Sequence, residues 1–354
     1  MKDIVVLLTG CGAPGAPGII KCLRKNGERG IRIIGVDMNE NAGSRGMVDQ
    51  FFVVPSANDD AFIPTILKIC EQESVDVVEP IVTRELMKFA VAKKAFSDHG
   101  IAVITAKPEV LQIINNKASL LSAMRENGLP TPDFVVVHTL NELIQACKDI
   151  GYPKKAICIK GAVGNGSRGV RIIDPNKSRY DLFFIEKPNS MYMSYEEAIS
   201  TLGEKESIPE MLVMEYLPGE EYGVDVLCDH GRIIAQAGRY NQSVNSSIPQ
   251  GCVIEKREEP FELASRICQT FQIDGHANFD FKYNSSGEAK LLEINPRLSA
   301  TIVAYAAAGI NFPYLGIKYA IGEAFSTPKI RYGMRMARRY QEVFFDEDNR
   351  PIEW

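Results

Sequence analysis

The sequence has no apolar run of the roughly 18 residues that a membrane span requires. Its first stretch, MKDIVVLLTGCGAPG, has no small-residue cleavage site after the short apolar segment, so it predicts a first strand rather than a signal peptide. The 8 cysteines form no C-x-x-C pair and lie mostly among apolar residues, which is typical of reduced core thiols. These absences predict a cytoplasmic protein with no membrane partner, no disulfides and no cysteine-bound zinc.

An excess of basic residues is also missing. The chain of 354 residues has 40 Lys and Arg against 45 Asp and Glu, and its net charge of -5 gives no reason to expect nucleic acid as a partner. A hydrophobic content of 45% is ordinary for a globular protein. At roughly 150 residues per domain, the length predicts two or three domains.

The N-terminal part of the chain alternates short runs rich in Val and Ile with stretches of helix length. Such runs are typical of buried strands in a parallel sheet. We therefore predict parallel strands at residues 4–8, 31–36, 51–54, 75–78 and 101–104.

A glycine-rich turn, TGCGAPGAPG, follows the first of these strands. Gly10, Gly12 and Gly15 satisfy G-x-G-x-x-G, and Asp37 follows the second strand as a ribose-binding acid would in a dinucleotide-binding protein. The same glycines serve any tight turn between a strand and a helix. Two hypotheses stay open on this pattern, an NAD(P)-dependent oxidoreductase and a turn without a dinucleotide. Glu85 follows the fourth strand, where open α/β sheets bind ligands.

A hairpin is predicted near the C-terminal end, with strands at 277–283 and 289–294 joined by an Asn-Ser-Ser-Gly turn. Asp280 and Glu293 can then lie side by side, with Asn295 just beyond the second strand. Carboxylate and amide oxygens suit Mg²⁺ or Mn²⁺, which take their remaining ligands from phosphate and water. The alternative is a hairpin whose acids face solvent. The apolar run LLEI around Glu293 argues against that alternative.

A second glycine-rich segment, GAVGNGSRGV, follows a strand-like run that ends at Lys160. Its backbone N–H groups can surround phosphate oxygens, and Lys160 and Arg168 add positive charge. The segment is not a Walker loop, because Ser167 and Arg168 follow Gly166 where that motif has Lys and then Ser or Thr. We favour phosphate binding over a plain surface loop.

Three further segments complete the pattern. Residues 108–127 have helical periodicity and include Lys117, which by itself reads as a solvated side chain. Residues 174–207 are polar without a core period, which predicts a mobile excursion. The segment LVMEYLPGEEYGVD predicts strands at 212–217 and 222–228 around a Pro-Gly break, which is either a plain hairpin or a backbone site for adenine.

The chain resembles the ATP-grasp enzymes in the order and rough spacing of five features. These are Lys117, Lys160 with its glycine loop, MEYLPGEEYGVD, Asp280 and LLEINPRLS. The branch that they most resemble is the large subunit of carbamoyl-phosphate synthase. The resemblance implies an α/β and α+β protein, with a Rossmann-like parallel-sheet domain followed by a two-lobed ATP-grasp domain. The implied boundaries are 1–107 for the first domain, 108–211 for a lid subdomain and 212–354 for the subdomain with the metal site.

The resemblance also implies roles for individual residues. Lys160 and Arg297 would be catalytic. The implied contacts to ATP are Lys117, Lys160, Gly164, Gly166, Ser167, Glu215, Tyr216, Leu217 and Glu221, with Glu215 to Leu217 as adenine hinge and Glu221 on the ribose. The implied metal ligands are Asp280, Glu293 and Asn295, and the implied substrate contacts are Arg239, Arg297 and Ser299. Asp280 departs from the synthases, which often have Gln there.

The implied activity is that of an ATP-dependent carboxylate–amine ligase, with ATP and Mg²⁺ or Mn²⁺ as cofactors and small-molecule substrates as partners. A homodimer is compatible with it. The synthases' tandem second half is absent from the sequence, which argues against carbamoyl phosphate as the product. The oxidoreductase and a non-catalytic ATP sensor remain the alternative hypotheses.

Overall fold

The computed structural model describes residues 2–164, 168–187, 190–245, 248–347 and 350–352. The helices are α1 (Ala16–Arg24), α2 (Phe62–Glu73), α3 (Thr83–Asp98), α4 (Pro108–Ile114), α5 (Lys117–Glu126), α6 (Leu140–Ile150), α7 (Arg179–Phe184), α8 (Tyr195–Leu202), α9 (Glu258–Phe271), α10 (Val303–Ala307) and α11 (Phe312–Ala320). The strands are β1 (Ile4–Leu8), β2 (Ile31–Asp37), β3 (Gln50–Val53), β4 (Val77–Glu79), β5 (Ala102–Val103), β6 (Phe134–Val137), β7 (Ile157–Gly161), β8 (Arg171–Ile173), β9 (Met211–Glu215), β10 (Glu221–Asp229), β11 (Arg232–Asn245), β12 (Ile248–Ile254), β13 (Gly275–Tyr283), β14 (Ala289–Asn295), β15 (Arg335–Ala337), β16 (Phe344–Phe345) and β17 (Pro351–Ile352).

The chain packs as two compact units. Unit 1 comprises Met1–Leu111, Tyr222–Phe279 and Ile294–Trp354, and unit 2 comprises Gln112–Glu221 and Asp280–Glu293. The hairpin strands β13 and β14 are therefore divided between the two units.

The N-terminal part of unit 1 is a parallel sheet in the order β3-β2-β1-β4-β5. Alternate residues of a strand face opposite sides of its sheet. Leu7 packs in one apolar cluster with Phe62 of α2 and Phe89 of α3, and Leu8 packs in another with Ile19 of α1. Both faces of the sheet are covered, as its uninterrupted apolar runs require. The predicted strands and their parallel arrangement are confirmed.

The second sheet has the order β14-β13-β10-β11-β12-β15, and its pairs β11–β12 and β12–β15 are antiparallel. The hairpin strands occupy one side of this sheet and β15 is its last strand on the other side. The predicted bounds of the hairpin differ from those of β13 and β14 by at most a few residues at each end.

Unit 2 is built on the antiparallel sheet β6-β9-β7-β8, with α6 and α8 packed against it. The strands β9 and β10 belong to different sheets, so the Pro-Gly break between them is not the turn of a plain hairpin. The predicted excursion at 174–207 contains two helices, α7 and α8, which begin at the capping residues Ser178 and Ser194.

The single helix predicted at 108–127 is wrong, because two helices stand there. Asn116 has extended backbone angles, and its Oδ1 accepts hydrogen bonds from the N–H groups of Ala118 at 2.8 Å and Ser119 at 3.0 Å. An Asn at this position caps the start of a helix, so α5 begins anew after α4 has ended at Ile114. Lys117 is therefore the first residue of α5 rather than a residue in the middle of a long helix. No helix among the described residues is long and apolar enough to cross a membrane.

The hydroxyl of Tyr222 ties three elements of unit 1 together. It donates to the Glu255 carbonyl at 2.8 Å and accepts from the Arg257 N–H at 3.1 Å. Gly238 of β11 lies against this hydroxyl. A Cβ atom there would be 2.6 Å from Phe261 Cε2 and 2.8 Å from the Glu255 carbonyl oxygen.

We expect Gly238→Ala to lower the free energy of unfolding by about 1–3 kcal/mol, because the added methyl overpacks a closed site that includes backbone. The matched control is Gly43→Ala, where a Cβ atom would meet nothing within 4 Å. Urea unfolding followed by circular dichroism measures both variants. Equal midpoints for the two variants would contradict the packing described for Tyr222.

Candidate active site

Lys117 holds three segments of unit 2 together. Its Nζ donates to the Gly164 carbonyl at 2.8 Å and lies 3.0 Å from Glu293 Oε2, and its backbone N–H donates to the Ala162 carbonyl at 2.9 Å. The start of α5, the glycine loop and strand β14 therefore meet at one ammonium group. These are segments that the sequence predicted for one site, although the contacting residues span about half of the chain.

Lys160 is a buried cation in the same cluster. Its side chain is at the end of β7, only 4% exposed, and its Nζ donates to the Leu292 carbonyl at 3.3 Å. Burial, with a smaller contribution from the charge of Lys117, lowers the pKa of Lys160 to about 8, while Cys158 and Glu293 act in the opposite direction. Since the usual pKa is 10.5, the unfolded chain binds more protons between these values, and stability rises with pH across that window.

The glycine loop begins directly after Lys160. Gly161 ends β7, and the carbonyl of Gly164 accepts the hydrogen bond from Lys117. Gly169 has a φ of 74°, in the left-handed region that favours glycine. The predicted contacts Gly166 and Ser167 lie outside the described residues.

The predicted adenine hinge lies at the end of β9. The Glu215 carboxylate accepts a hydrogen bond from the Asp133 N–H at 3.0 Å, so this side chain binds the backbone just before strand β6. The Tyr216 hydroxyl lies 3.1 Å from that of Tyr192. Burial raises the pKa of Tyr216, and the hydrogen bond with Tyr192 makes a smaller contribution in the same direction. Leu217 is buried.

The break after the hinge is fixed by strand β13. The Gly219 N–H donates to the Tyr283 carbonyl at 2.9 Å, and the Tyr283 N–H donates to the Glu220 carbonyl at 3.1 Å. A Cβ atom at Gly219 would be 2.7 Å from the Tyr283 carbonyl oxygen, so only glycine fits this close approach. Glu221, the predicted ribose ligand, lies 3.8 Å from the ammonium of Lys282.

The predicted metal ligands are spread over the hairpin. Asp280 and Glu293 belong to unit 2, on neighbouring strands, and Asn295 is a buried residue of unit 1. Within the described ranges, no group of three His, Cys, Asp or Glu side chains could hold a metal by itself. The two carboxylates of unit 2 are of a type that suits Mg²⁺, because that ion takes several of its ligands from water and phosphate.

Arg297 and Ser299 follow the hairpin in unit 1. The Arg297 guanidinium donates to Asn295 Oδ1 at 3.3 Å and to the Leu298 carbonyl at 2.8 Å. Ser299 is buried, and its hydroxyl has no hydrogen-bond partner in the described part of the chain. A buried hydroxyl without a partner is suited to receive a polar group of a ligand.

Arg239, the third predicted substrate contact, is enclosed in unit 1. Its guanidinium forms a buried ion pair with Asp225 and donates to the Tyr305 hydroxyl at 2.9 Å. A Cβ atom at Gly223 would be 2.8 Å from its Cζ. These contacts hold Arg239 in one place.

In the N-terminal glycine fingerprint, the carboxylate of Asp37 binds the backbone of the glycine turn and of the residues after β2. Asp37 Oδ2 accepts the Gly12 N–H at 2.6 Å, and Oδ1 accepts the Asn39 N–H at 2.8 Å. Both carboxylate oxygens, which would hold a ribose in a dinucleotide-binding protein, thus bind the backbone of this turn. Glu85, at the start of α3, accepts from the Thr9 hydroxyl, and burial raises its pKa to about 7.

Three residues of this region were missed by the sequence reasoning. Asn116 caps α5 and so places Lys117, and an Asn before a helical run is a signal that could have been used. Tyr192 and Lys282 meet the hinge, with Lys282 Nζ 6.0 Å from the centre of the Tyr216 ring. No pattern along the chain marks either of them.

Two regions of the chain match models of known protein families. Residues 207–342 match a family model described as ATP-grasp in the biosynthetic pathway with Ter operon, and residues 6–104 match the PylC-like N-terminal domain. The chain thus has an ATP-grasp region at residues 207–342 and a PylC-like region at residues 6–104. The recognition and the predicted fold class are confirmed.

More distant similarity covers most of the chain. The biotin carboxylase of Nostoc sp. is 24% identical over an alignment of 315 residues that covers 86% of this chain and 68% of that protein. The carbamoyl phosphate synthase large chain of Pseudothermotoga lettingae is 25% identical over an alignment of 325 residues that covers 86% of this chain and 26% of that protein. The N5-carboxyaminoimidazole synthetase from Staphylococcus aureus, solved in complex with ADP, has a TM-score of 0.69 at 14% identity, covering 93% of this chain and 80% of that one.

The environment of Lys160 predicts a measurable titration. We expect its ammonium to titrate near pH 8, and Glu293→Gln to lower this pKa further, because the glutamate charge stabilises the ammonium. NMR of lysine labelled at the ε position measures the pKa, with Lys160→Met to assign the signal. Glu288→Gln, on the turn of the same hairpin, is the matched control and should leave the pKa unchanged. A pKa of Lys160 near 10.5 would contradict the described burial.

Proposed function

We propose that this protein is an ATP-dependent ligase that joins a carboxylate to an amine. The observation that carries the proposal is the cluster of Lys117, Lys160 and Glu293 beside the glycine loop. Two lysines and loop N–H groups form a site for a chain of phosphates, and the carboxylate provides a ligand for the accompanying metal. The relatives named above support the same class of reaction.

The reaction follows from the weakness of a carboxylate as an electrophile. One carboxylate oxygen attacks the γ-phosphorus of ATP, the bond to the β,γ-bridging oxygen breaks, and ADP leaves. The amine nitrogen then attacks the carbonyl carbon of the acyl phosphate, phosphate leaves and the nitrogen loses a proton. Neither step needs a covalent intermediate on the protein, so catalysis consists mainly of positioning and charge neutralisation.

In this proposal, unit 2 binds the nucleotide. Lys117 and Lys160 bind the phosphates, the loop from Gly161 covers them, and the backbone of Glu215 to Leu217 binds adenine. The commitment of the Glu215 side chain to Asp133 supports a hinge that acts through its main chain. Glu221 would exchange its long contact with Lys282 for the ribose hydroxyls.

Asp280, Glu293 and Asn295 would hold Mg²⁺ or Mn²⁺. When bound, the metal would neutralise phosphate charge, the chemistry for which carboxylate and amide oxygens are suited. Glu293 also pairs with Lys117, so its carboxylate offsets part of the positive charge of the cluster.

Arg297 and Ser299 would bind the substrate carboxylate or the transferred phosphoryl group. Arg239 is the third predicted substrate contact. Its buried contacts with Asp225 and Tyr305 favour a role in positioning these two side chains over direct contact with the substrate. A cytoplasmic location, a homodimer and domain boundaries near 107 and 211 belong to the same proposal. The occupied carboxylate of Asp37 supports the ligase over the oxidoreductase.

Activity is tested by screening pairs of carboxylates and amines for ADP release with Mg²⁺. We expect Glu293→Gln to lower the turnover of an active pair by about 100-fold, because a ligand of the metal is lost from the phosphate site. Glu288→Gln, an exposed acid of the same hairpin, should stay near the wild-type rate. Unchanged ADP release in Glu293→Gln would count against the metal assignment, and ATP binding without turnover for any pair would favour a sensor.

Nucleotide choice is tested by calorimetry with Mg²⁺·ATP and with NADH. We expect ATP to bind, NADH not to bind, and Gly164→Val to weaken ATP binding, because a branched side chain would occupy the loop where backbone approaches phosphate. Gly43→Val, in open space, is the control. Hydrogen exchange at 161–164 should slow when an ATP analogue and Mg²⁺ bind. Tight NADH binding with no ATP binding would reverse the proposal.

A further inference from the structure

A cavity of about 330 Å³ opens in unit 1 between helices α1 and α10 and strand β15. Its volume lies in the lower part of the range of small-molecule sites. Apolar side chains form most of its lining, including Ile254, Val303, Met334 and Met336. No residue of the proposed nucleotide, metal or substrate set lines it.

The walls of this cavity are set by close packing. Helix α1 approaches α10 so tightly that a Cβ atom at Gly18 would lie 3.1 Å from Val303 Cβ. Strand β15 is the last strand of its sheet and pairs with β12 on one side only. Helices and an edge strand thus form the walls of the cavity, and the methionines provide flexible apolar surface that can adapt to a ligand.

Two cations flank the apolar lining. Among the described residues, the charged side chains that line the cavity are those of Lys21 and Arg335. Neither side chain has a hydrogen bond or an ion pair within the described part of the chain. Nearby cations are engaged instead: Arg24 pairs with Asp49 at 2.7 Å, and Arg338 donates to the Ala300 carbonyl at 2.9 Å.

We infer that this cavity binds a small organic anion with an apolar body. Lys21 and Arg335 are exposed, and the described lining contains no acid, so their positive charges attract a negative group, while the apolar lining gains from contact with the body of the ligand. A carboxylate and a phosphate ester share this chemistry. Because the cavity uses only residues of unit 1, this inference does not depend on the nucleotide site proposed for unit 2.

The test is calorimetry on the full chain without nucleotide, with hexanoate, hexyl phosphate and the uncharged 1-hexanol as probes. We expect at least one anion to bind at least about tenfold more tightly than hexanol, because it gains charge-assisted hydrogen bonds from Lys21 and Arg335. The anion that binds more tightly identifies the preferred head group. Saturable binding of neither anion would overturn the inference.

Three variants locate the binding. Lys21→Gln with Arg335→Gln should weaken the anion by about tenfold or more, and Lys68→Gln, an exposed lysine of α2, should leave it unchanged. Ala307→Leu, at an exposed lining position, should block the cavity without burying a new group. Circular dichroism melts establish that the variants fold. Equal anion affinity in wild type, the double variant and Ala307→Leu would also overturn the inference. Loss of anion binding in Glu293→Gln would overturn it too, because that residue belongs to the proposed nucleotide site of unit 2.

Discussion

The ammonium of Lys117 is the contact on which the candidate site depends. It joins the carbonyl of Gly164 and the carboxylate of Glu293 to the first turn of α5. This one cation links the glycine loop to strand β14. The same ammonium provides a hydrogen-bond donor for the Gly164 carbonyl, in a loop whose many glycines have no side chains to hold it. Its position follows from Asn116, whose capping hydrogen bonds begin α5 at Lys117.

Lys160 adds a second positive charge where water is excluded. Burial disfavours the charged form of Lys160, and the charge of Lys117 adds to that effect, so Lys160 binds its proton weakly. A polyphosphate would remove both causes, since its negative charge offsets the repulsion and its oxygens accept the ammonium hydrogen bonds. The same electrostatics that disfavour the charged lysine in the free protein thus favour an anionic ligand. Glu293 offsets part of this charge through its pair with Lys117, and in the proposed complex it would bind the metal ion instead.

Local patterns predicted most of the fold. Short Val- and Ile-rich runs gave the parallel strands, and polar turns gave the hairpin, because burial on both faces and turn chemistry leave their mark within a few residues. The break at Asn116 was overlooked because apolar periodicity continues through it. The pairing of β9 and β10 with different sheets could not be predicted, since it depends on partners distant in the chain.

The candidate site was predicted unevenly for the same reason. Lys117, Lys160 and Glu293 were chosen from motif order, and the structure brings them together in unit 2. Motif order does not predict which groups a side chain contacts in the folded protein. Glu215 binds the Asp133 backbone, and Arg239 binds Asp225, in contacts that no spacing along the sequence encodes.

The central claim is that the cluster around Lys117 and Lys160 is a binding site for the phosphates of ATP. A crystal structure with Mg²⁺ and a non-hydrolysable ATP analogue tests it most directly. We predict that both Nζ atoms will lie within hydrogen-bonding distance of phosphate oxygens, and that Glu293 will leave Lys117 and bind the metal. A bound nucleotide whose phosphates contact neither lysine, with the Lys117–Glu293 pair intact, would contradict the claim.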